Sequence, residues 1–387
     1  MSAESKNKSS RLETLGEIAR VFLRLGFIAF GGPAAHIALM EEEFVRRRAW
    51  VARERFLDLV GTASLLPGPS STELAICLGQ IRGGVAGLFV AGAAFILPAA
   101  ILVAGLASSY VRFGTLPQVA GLLFGVKPVV VVLIAQAIWA LGKTALRTVP
   151  LALLAIALIL LSAFGVSALV LLIGAGGICM IAGSARTAQF KKAATLPYFL
   201  RIIRFSIPAI PTGFASIFLY FLRVGGVLFG SGYVLLAVLR ADLVARLHWL
   251  TEAQLLDAIA VSQATPGPFF TVSTFIGYVL GGWRGALLAT AGMFLPAFIY
   301  VAVIAGILPR LRQSRAAGAF LDGVNAAAVA LMAFVGWHFA RVTLVSVPAL
   351  FLAAISALLV FRYRVNSAFV IAGASLAGAL FSFLHWI

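Results

Sequence analysis

Two short stretches hold the residue types from which a binding site could be built. One is Leu65-Leu66-Pro67-Gly68-Pro69-Ser70-Ser71-Thr72; the other, 199 residues on, is Ala264-Thr265-Pro266-Gly267-Pro268-Phe269-Phe270-Thr271. Proline lacks an N–H and clashes with the preceding turn, so Pro-Gly-Pro cannot continue a helix. The glycine supplies the free turn, and the second proline suits the first position of a new helix. Ser70 to Thr72 and Phe269 to Thr271 then fall in first turns, with free N–H groups and the positive dipole end aimed into the break. The hydroxyls of Ser70, Ser71, Thr72 and Thr271 add donors. The chemistry this predicts is oxyanion binding at two opposed helix starts; the alternative is a pair of ordinary kinks kept for packing. Gly31-Gly32-Pro33 and Gly230-Ser231-Gly232 interrupt an earlier segment in the same paired way. They suit either close backbone approach to the same cavity or close helix packing.

Few charged groups lie near these breaks. Lys127 stands alone in the apolar run from Phe113 to Gly142, where a charge is costly and faces a cavity or a partner. It reads as an anion contact, as half of a pair with a carboxylate, or as a snorkelling lysine. Its counterpart in the second half is Asn325, beside Asp322. Glu73 follows the first Pro-Gly-Pro and suits a proton carrier, a salt bridge or a helix-start carboxylate. His36 follows Gly-Gly-Pro and is either structural or a second proton site. Asp58 and Asp257 recur and suggest capping or pairing, with Arg24 and Arg223 as partners or as a source of positive potential. Glu41-Glu42-Glu43 with Arg46-Arg47-Arg48 reads as a solvated charge run. No nucleotide-binding loop and no metal-ligand spacing is present, so neither ATP hydrolysis nor a cofactor is expected. Ser231 aligns with Gly32, and His248 lies beyond its segment, which argues against a serine protease. Cys77 and Cys179 sit in apolar segments and read as structural thiols.

The elements that position these residues are membrane segments. The 387 residues are 62% hydrophobic and 11% charged, with mean hydropathy +1.06; a soluble domain carries about 25% charged residues. Met1 to Arg11 is polar and lacks the apolar core of a signal peptide. The net charge of +17 fits basic cytoplasmic loops better than nucleic acid, and favours an anion in any cavity. The chain also repeats itself. Phe22-Leu23-Arg24-Leu25-Gly26 matches Phe221-Leu222-Arg223-Val224-Gly225, and Trp50 matches Trp249. After a one-residue slip, Gly79 matches Gly277, Pro98 matches Pro296 and Trp139 matches Trp337.

The expected organisation is a tail at 1–13, a first repeat at 14–186, a basic linker at 187–210 and a second repeat at 211–387. Apolar segments lie near 14–40, 56–80, 84–111, 116–141, 148–163 and 166–185, and again near 212–239, 254–279, 283–308, 316–340, 343–361 and 365–386. The first two of each set are broken or re-entrant. The fold class is an all-α polytopic membrane protein with about 10–13 membrane segments. Positive charge follows segments four and six in the first half (Lys143, Arg147; Arg186, Lys191, Lys192) but three and five in the second (Arg310, Arg312, Arg315; Arg362, Arg364). That phase shift predicts an inverted-topology repeat, with the linker cytoplasmic and the C-terminus outside. A count of crossings leaves Lys6, Lys8 and Arg11 outside, against the positive-inside rule.

Phe30-Gly31-Gly32-Pro33 with His36, Leu66-Pro67-Gly68-Pro69-Ser70-Ser71-Thr72-Glu73 and Thr265-Pro266-Gly267-Pro268-Phe269-Phe270-Thr271 together resemble the chromate ion transporter (CHR) family in its long, two-domain form. The resemblance covers nearly the whole chain. It implies a bacterial inner-membrane protein that exports chromate, driven by an ion gradient, with homologous halves of opposite orientation. Family topology is drawn with an odd number of spans, and the linker shows no clean extra span. Sulfate matches chromate in charge and shape, so the expected partners are chromate or a sulfate-like dianion, the bilayer and, as an open option, a second copy of the chain. A sulfate-type uptake carrier or exchanger, or an anion channel, is the alternative.

Overall fold

The computed structural model describes residues 3–114, 116–185, 213–228, 232, 234–304 and 315–384. Among these residues it is helical without strands, as the composition predicts. The first half holds α1 (Ala3–Ile28), α2 (Pro33–Glu41), α3 (Arg53–Ala63), α4 (Ser70–Phe113), α5 (Pro117–Ala145), α6 (Val149–Ala163) and α7 (Ala168–Ala185). The second repeats the order: α8 (Phe214–Val227), α9 (Val234–Leu239), α10 (Glu252–Ala264), α11 (Val272–Ile304), α12 (Arg315–Thr343), α13 (Val347–Ala357) and α14 (Ser367–Phe383). The linker at 187–210, with Gly230 and Ser231, lies outside the described residues.

Neither α4 nor α11 is a single rod. Gly83 and Gly84 leave helical geometry (φ −131° and +61°), and Gly281 and Gly282 do the same (φ −156° and +59°). Only glycine adopts the second of these conformations freely. A methyl group on Gly79 would strike the Gly87 carbonyl and Ala91, and one on Gly277 would strike the Gly285 carbonyl and Ala289. Residues eight apart in a continuous helix are about 12 Å apart. The chain therefore folds back at each Gly-Gly, and 70–82 packs antiparallel to the start of 85–113, most closely where Gly79 meets Gly87.

The hairpins begin and end together. Glu17 on α1 binds Arg48 at 2.8 Å and Arg82 at 3.2 Å, and the Arg82 guanidinium lies 5.4 Å over the Trp50 ring. The path from α1 through the break at 29–32 thus returns to its starting level by Arg48. The path from α3 through the break at 64–69 returns to it by Arg82. Both first-half segments fold back on themselves, with the breaks at their tips. In the second half Tyr220 meets Trp249 at 5.9 Å, and Phe214 covers Gly281. The charge run is solvated at Glu42, Arg46 and Arg47, as expected, but Glu43 turns inward and helps to close this end. Glu43 is only 8% exposed, and Arg48 and Arg47 donate to its carboxylate at 2.6 and 3.2 Å. Burial pushes the Glu43 carboxyl up, but the hydrogen bonds and charges of Arg48 and Arg47 win and hold it below the usual range.

The halves interlock through the remaining helices. Gly121 and Gly125 of α5 lie on Gly378 and Ala374 of α14, while Gly323 of α12 lies on Ala175 of α7. Each half thereby packs its central helix against the closing hairpin of the other. Among the described residues four helices are long and apolar enough to cross a membrane. Their outer faces, with those of the shorter apolar helices, expose Leu153, Phe164, Leu287, Phe351 and Phe369, which lipid tolerates and water does not. Trp139 and Trp337, equivalent in the repeat, are both exposed, as aromatic residues at a membrane interface are.

Candidate functional site

The four break tips meet, and they are tied reciprocally. The Gly68 N–H donates to the Leu228 carbonyl at 2.8 Å, and the Gly267 N–H donates to the Ala29 carbonyl, also at 2.8 Å. The Pro-Gly-Pro turn of each half is thus held by the first break of the other half. Gly68 (φ +134°) and Gly267 (φ +95°) occupy backbone regions that L side chains avoid, which explains the glycine between each pair of prolines. There is also no space for a side chain. A Cβ on Gly68 would lie 2.7 Å from Glu73 Oε1, and one on Gly267 would lie 2.5 Å from the Ala99 Cβ.

At the first tip, α4 starts at Ser70 directly after Pro69. The Thr72 and Glu73 N–H groups turn back to the Pro69 carbonyl, at 2.7 and 3.0 Å. The Ser70 and Ser71 N–H groups have no acceptor among the described residues. Ser71 Oγ lies 3.2 Å from His36 Nδ1, and His36 Nε2 lies 3.1 Å from the Ala29 carbonyl that also receives Gly267. Gly32 caps α2 ahead of Pro33, and Gly31 (φ +100°) makes the turn that delivers His36. Thr72 and Glu73 are fully buried, yet Thr72 Oγ1 and both carboxyl oxygens of Glu73 have no hydrogen-bond partner. Leaving such groups unpaired costs about 1–3 kcal/mol each, and more for a charge.

The second tip has the same backbone but the opposite chemistry. Phe269 and Phe270 replace the serines and are buried, and Phe270 stands against Gly232. The Thr271 hydroxyl donates to the Pro268 carbonyl at 2.8 Å, and Ser273 donates to the Phe270 carbonyl, also at 2.8 Å. Thr274 pairs with Thr290 at 2.8 Å. The hydroxyls of Thr265, Thr271, Ser273 and Thr274 are thus all engaged, and the one buried hydroxyl near this tip without a partner among the described residues is that of Ser262 on α10.

Gly31, Gly32, His36, Pro67 to Glu73, Pro266 to Pro268 and Thr271 are therefore brought together. The other residues read from the sequence lie elsewhere. Lys127 Nζ is 3.1 Å from Asp257 Oδ1 on α10, and the Tyr110 hydroxyl donates to Asp257 Oδ2 at 3.1 Å. Lys127 is in a carboxylate pair across the two halves rather than at the break tips. Asn325 is exposed on α12. Asp322 binds Arg147 at 2.6 Å. Sequence reasoning missed Tyr110 and also Tyr300, whose hydroxyl donates to the Gly226 carbonyl at 2.6 Å beside the break. It also passed over the Gly-Gly pairs at 83–84 and 281–282, whose recurrence marks the hairpin turns.

The profile of the chromate transporter family matches residues 16–181 and 215–379, one segment in each half. The chromate transport protein of Cupriavidus metallidurans is 30% identical over 380 residues, covering 96% of this chain and 94% of that one. The chromate transport protein of Pseudomonas aeruginosa is 32% identical over 378 residues, covering 93% and 90%. A probable chromate transport protein of Synechococcus elongatus is 28% identical over 337 residues, 83% of each chain. No solved structure matches. A multi-pass helical chain with two matched segments, aligned end to end with these relatives, belongs to the chromate transporter family.

Proposed function

We propose that the chain carries a tetrahedral dianion, chromate, out of the cytoplasm by alternating access, with the anion held where the break tips meet. The observation that carries this reading is the reciprocal pair of hydrogen bonds, Gly68 to Leu228 and Gly267 to Ala29. It makes each tip a hinge shared by both halves, so that one half cannot shift without the other. The Ser70 and Ser71 N–H groups, the hydroxyls of Ser70, Ser71 and Thr72, and the helix dipole supply donors for an oxyanion. Glu73 and His36, buried beside them, suit a proton that travels with or against the anion. Thr271 and the second Pro-Gly-Pro complete the wall. Lys127, paired with Asp257, is not a direct contact of the anion in this reading.

The proposal includes an inverted repeat in a bacterial inner membrane. It is supported by the charge phase and by the contacts at each end. The end carrying Arg147 and Asp322 is cytoplasmic under this reading, as are Arg362, Arg364 and the start of the linker. α7 finishes there, with Gly183 against Ala319, whereas Arg240–Arg246 stands by the Gly165 turn at the opposite end. The second-half hairpins then open outward, the first-half hairpins open inward, and the C-terminus is outside. Under this reading, with the first segments re-entrant, the N-terminal tail with Lys6, Lys8 and Arg11 falls on the cytoplasmic side, in line with the positive-inside rule.

Export of a dianion from a cell that is negative inside is downhill by about 2.3 kcal/mol per charge per 100 mV. Sulfate uptake or exchange uses the same site with the gradients reversed. The reading is tested with chromate counterflow in proteoliposomes. Wild-type protein is expected to show saturable counterflow that Ser71→Ala lowers at least tenfold. An unchanged rate in that variant would remove the break tips as the site, and large single-channel currents would replace the carrier by a channel.

A further inference from the structure

A second place in the molecule has the chemistry of an anion site. A cavity of about 510 Å³ lies between the turn joining α6 to α7, the π-turn Arg240–Arg246 that follows α9, and α12. Arg223, Arg240 and Arg246 line it, with Asp242 as the one acidic residue and Ser162 and Ser167 as hydroxyl donors. Its size falls within the range of about 300–1,000 Å³ usual for small-molecule sites.

The three arginines are not equally committed. Arg246 binds Asp242 at 3.0 Å, and Arg240 binds Glu252 at 2.6 Å. Arg223 has no ion-pair or hydrogen-bond partner among the described residues. Beside it the Tyr220 hydroxyl is buried without a partner, within electrostatic reach of Arg223, Arg246 and Asp242. Burial pushes the Asp242 carboxyl above its usual range, although Arg246 and Arg223 pull it down. An uncommitted guanidinium in the cavity, next to two paired ones, leaves a net positive charge that no carboxylate among the described lining residues offsets. Guanidinium groups match tetrahedral oxyanions through paired N–H donors.

We infer that this cavity is a second oxyanion site, separate from the break tips, in which Arg223 is the principal contact of a tetrahedral oxyanion group of the sulfate, chromate or phosphate type. Arg240 and Arg246 add field, and Ser162 and Ser167 offer hydroxyls. The ligand class rests on the reading of the chain as an anion carrier, but the site does not depend on the break tips binding anything. The same group is carried by a free anion and by an anionic lipid headgroup, and at a membrane interface both have access.

The test is equilibrium binding of radiolabelled sulfate to the purified full chain in nanodiscs of neutral phosphatidylcholine, and again with cardiolipin added. Wild-type protein is expected to bind two sulfates per chain. Arg223→Gln is expected to lose one of them, or to weaken it at least tenfold, and Arg223→Lys to recover part of it. One sulfate in the wild type and none in Arg223→Gln would keep this cavity and remove the break tips as a site. Loss of the Arg223-dependent sulfate only when cardiolipin is present assigns the occupant to a headgroup phosphate. Its retention in both nanodiscs assigns the occupant to the free anion. If Arg223→Gln, eluting as a single folded species, binds sulfate as the wild type does in both nanodiscs, the cavity is no anion site.

Discussion

The two Pro-Gly-Pro tips share a backbone and differ in nearly everything else. Each places glycine in a left-handed turn, and each donates one N–H to the opposite half. Yet the first surrounds that turn with Ser70, Ser71, Thr72, Glu73 and His36, while the second uses Phe269, Phe270 and a Thr271 whose hydroxyl is already spent on its own turn. The duplication has thus kept the glycine turn and its cross-half hydrogen bond in both copies and the polar inventory in only one. The unpaired groups of the first tip, Thr72 Oγ1 and the Glu73 carboxyl, cost stability with no visible structural return. Under the proposed function these unpaired polar atoms belong to the anion site, and the second tip, with only the Ser262 hydroxyl unpaired nearby, is its supporting wall.

That contrast can be broken by exchanging demands between the tips. The largest effect is expected at the hydroxyls. Ser71→Ala should lower chromate flux about 10- to 100-fold, the size of a lost hydrogen bond to a charged group of about 1.5–3 kcal/mol. Thr271→Ala, which loses only a bond to Pro268, should change flux less than about twofold. Equal losses at both positions would make the tips equivalent and contradict the division of roles. Next come the glycines, where the tips should behave alike. Gly68→Ala and Gly267→Ala should each destabilise by about 1–3 kcal/mol, seen as a lowered thermal midpoint in detergent.

A smaller effect is expected away from the tips. Asp257→Asn removes the charge that pairs Lys127, which is 25% exposed, and should cost about 1 kcal/mol while leaving sulfate affinity within about twofold of wild type. A large loss of affinity there would return Lys127 to the anion. The smallest concerns the closed end of the first-half hairpins. Because Glu43 is held below the usual carboxylate range, its contribution is present above about pH 4.3 and is lost as pH falls through its folded value. Wild-type protein should therefore lose its thermal midpoint on acidification more steeply than Glu43→Gln.

Much of this was legible in the sequence because its causes are local. Proline and glycine dictate the breaks wherever they stand, and the apolar runs give helices at nearly the expected bounds. Duplication announced itself through matches such as Trp139 with Trp337. What was not legible depends on which segments meet. Nothing local says that Glu17 will bind both Arg48 and Arg82, and so the choice between broken and re-entrant segments stayed open until those ends were seen together. Lys127 stood alone along the chain, but its partner lies across the halves at Asp257. Repeat alignment made Asn325 its equivalent and implied a shared role, yet alignment carries position in the repeat and not the partner in space. The Gly-Gly turns were visible at fixed spacing, and only the close approach of Gly79 to Gly87 gives that spacing a meaning.

The central claim, a saturable dianion carrier organised on the break tips, is tested most directly by radiolabelled chromate flux in proteoliposomes with the membrane potential clamped at two values. The account predicts flux that saturates, that sulfate inhibits, and that rises when the side receiving the anion is made more positive. Folded protein that moves neither anion at either potential would contradict it and return the paired breaks to a role in packing.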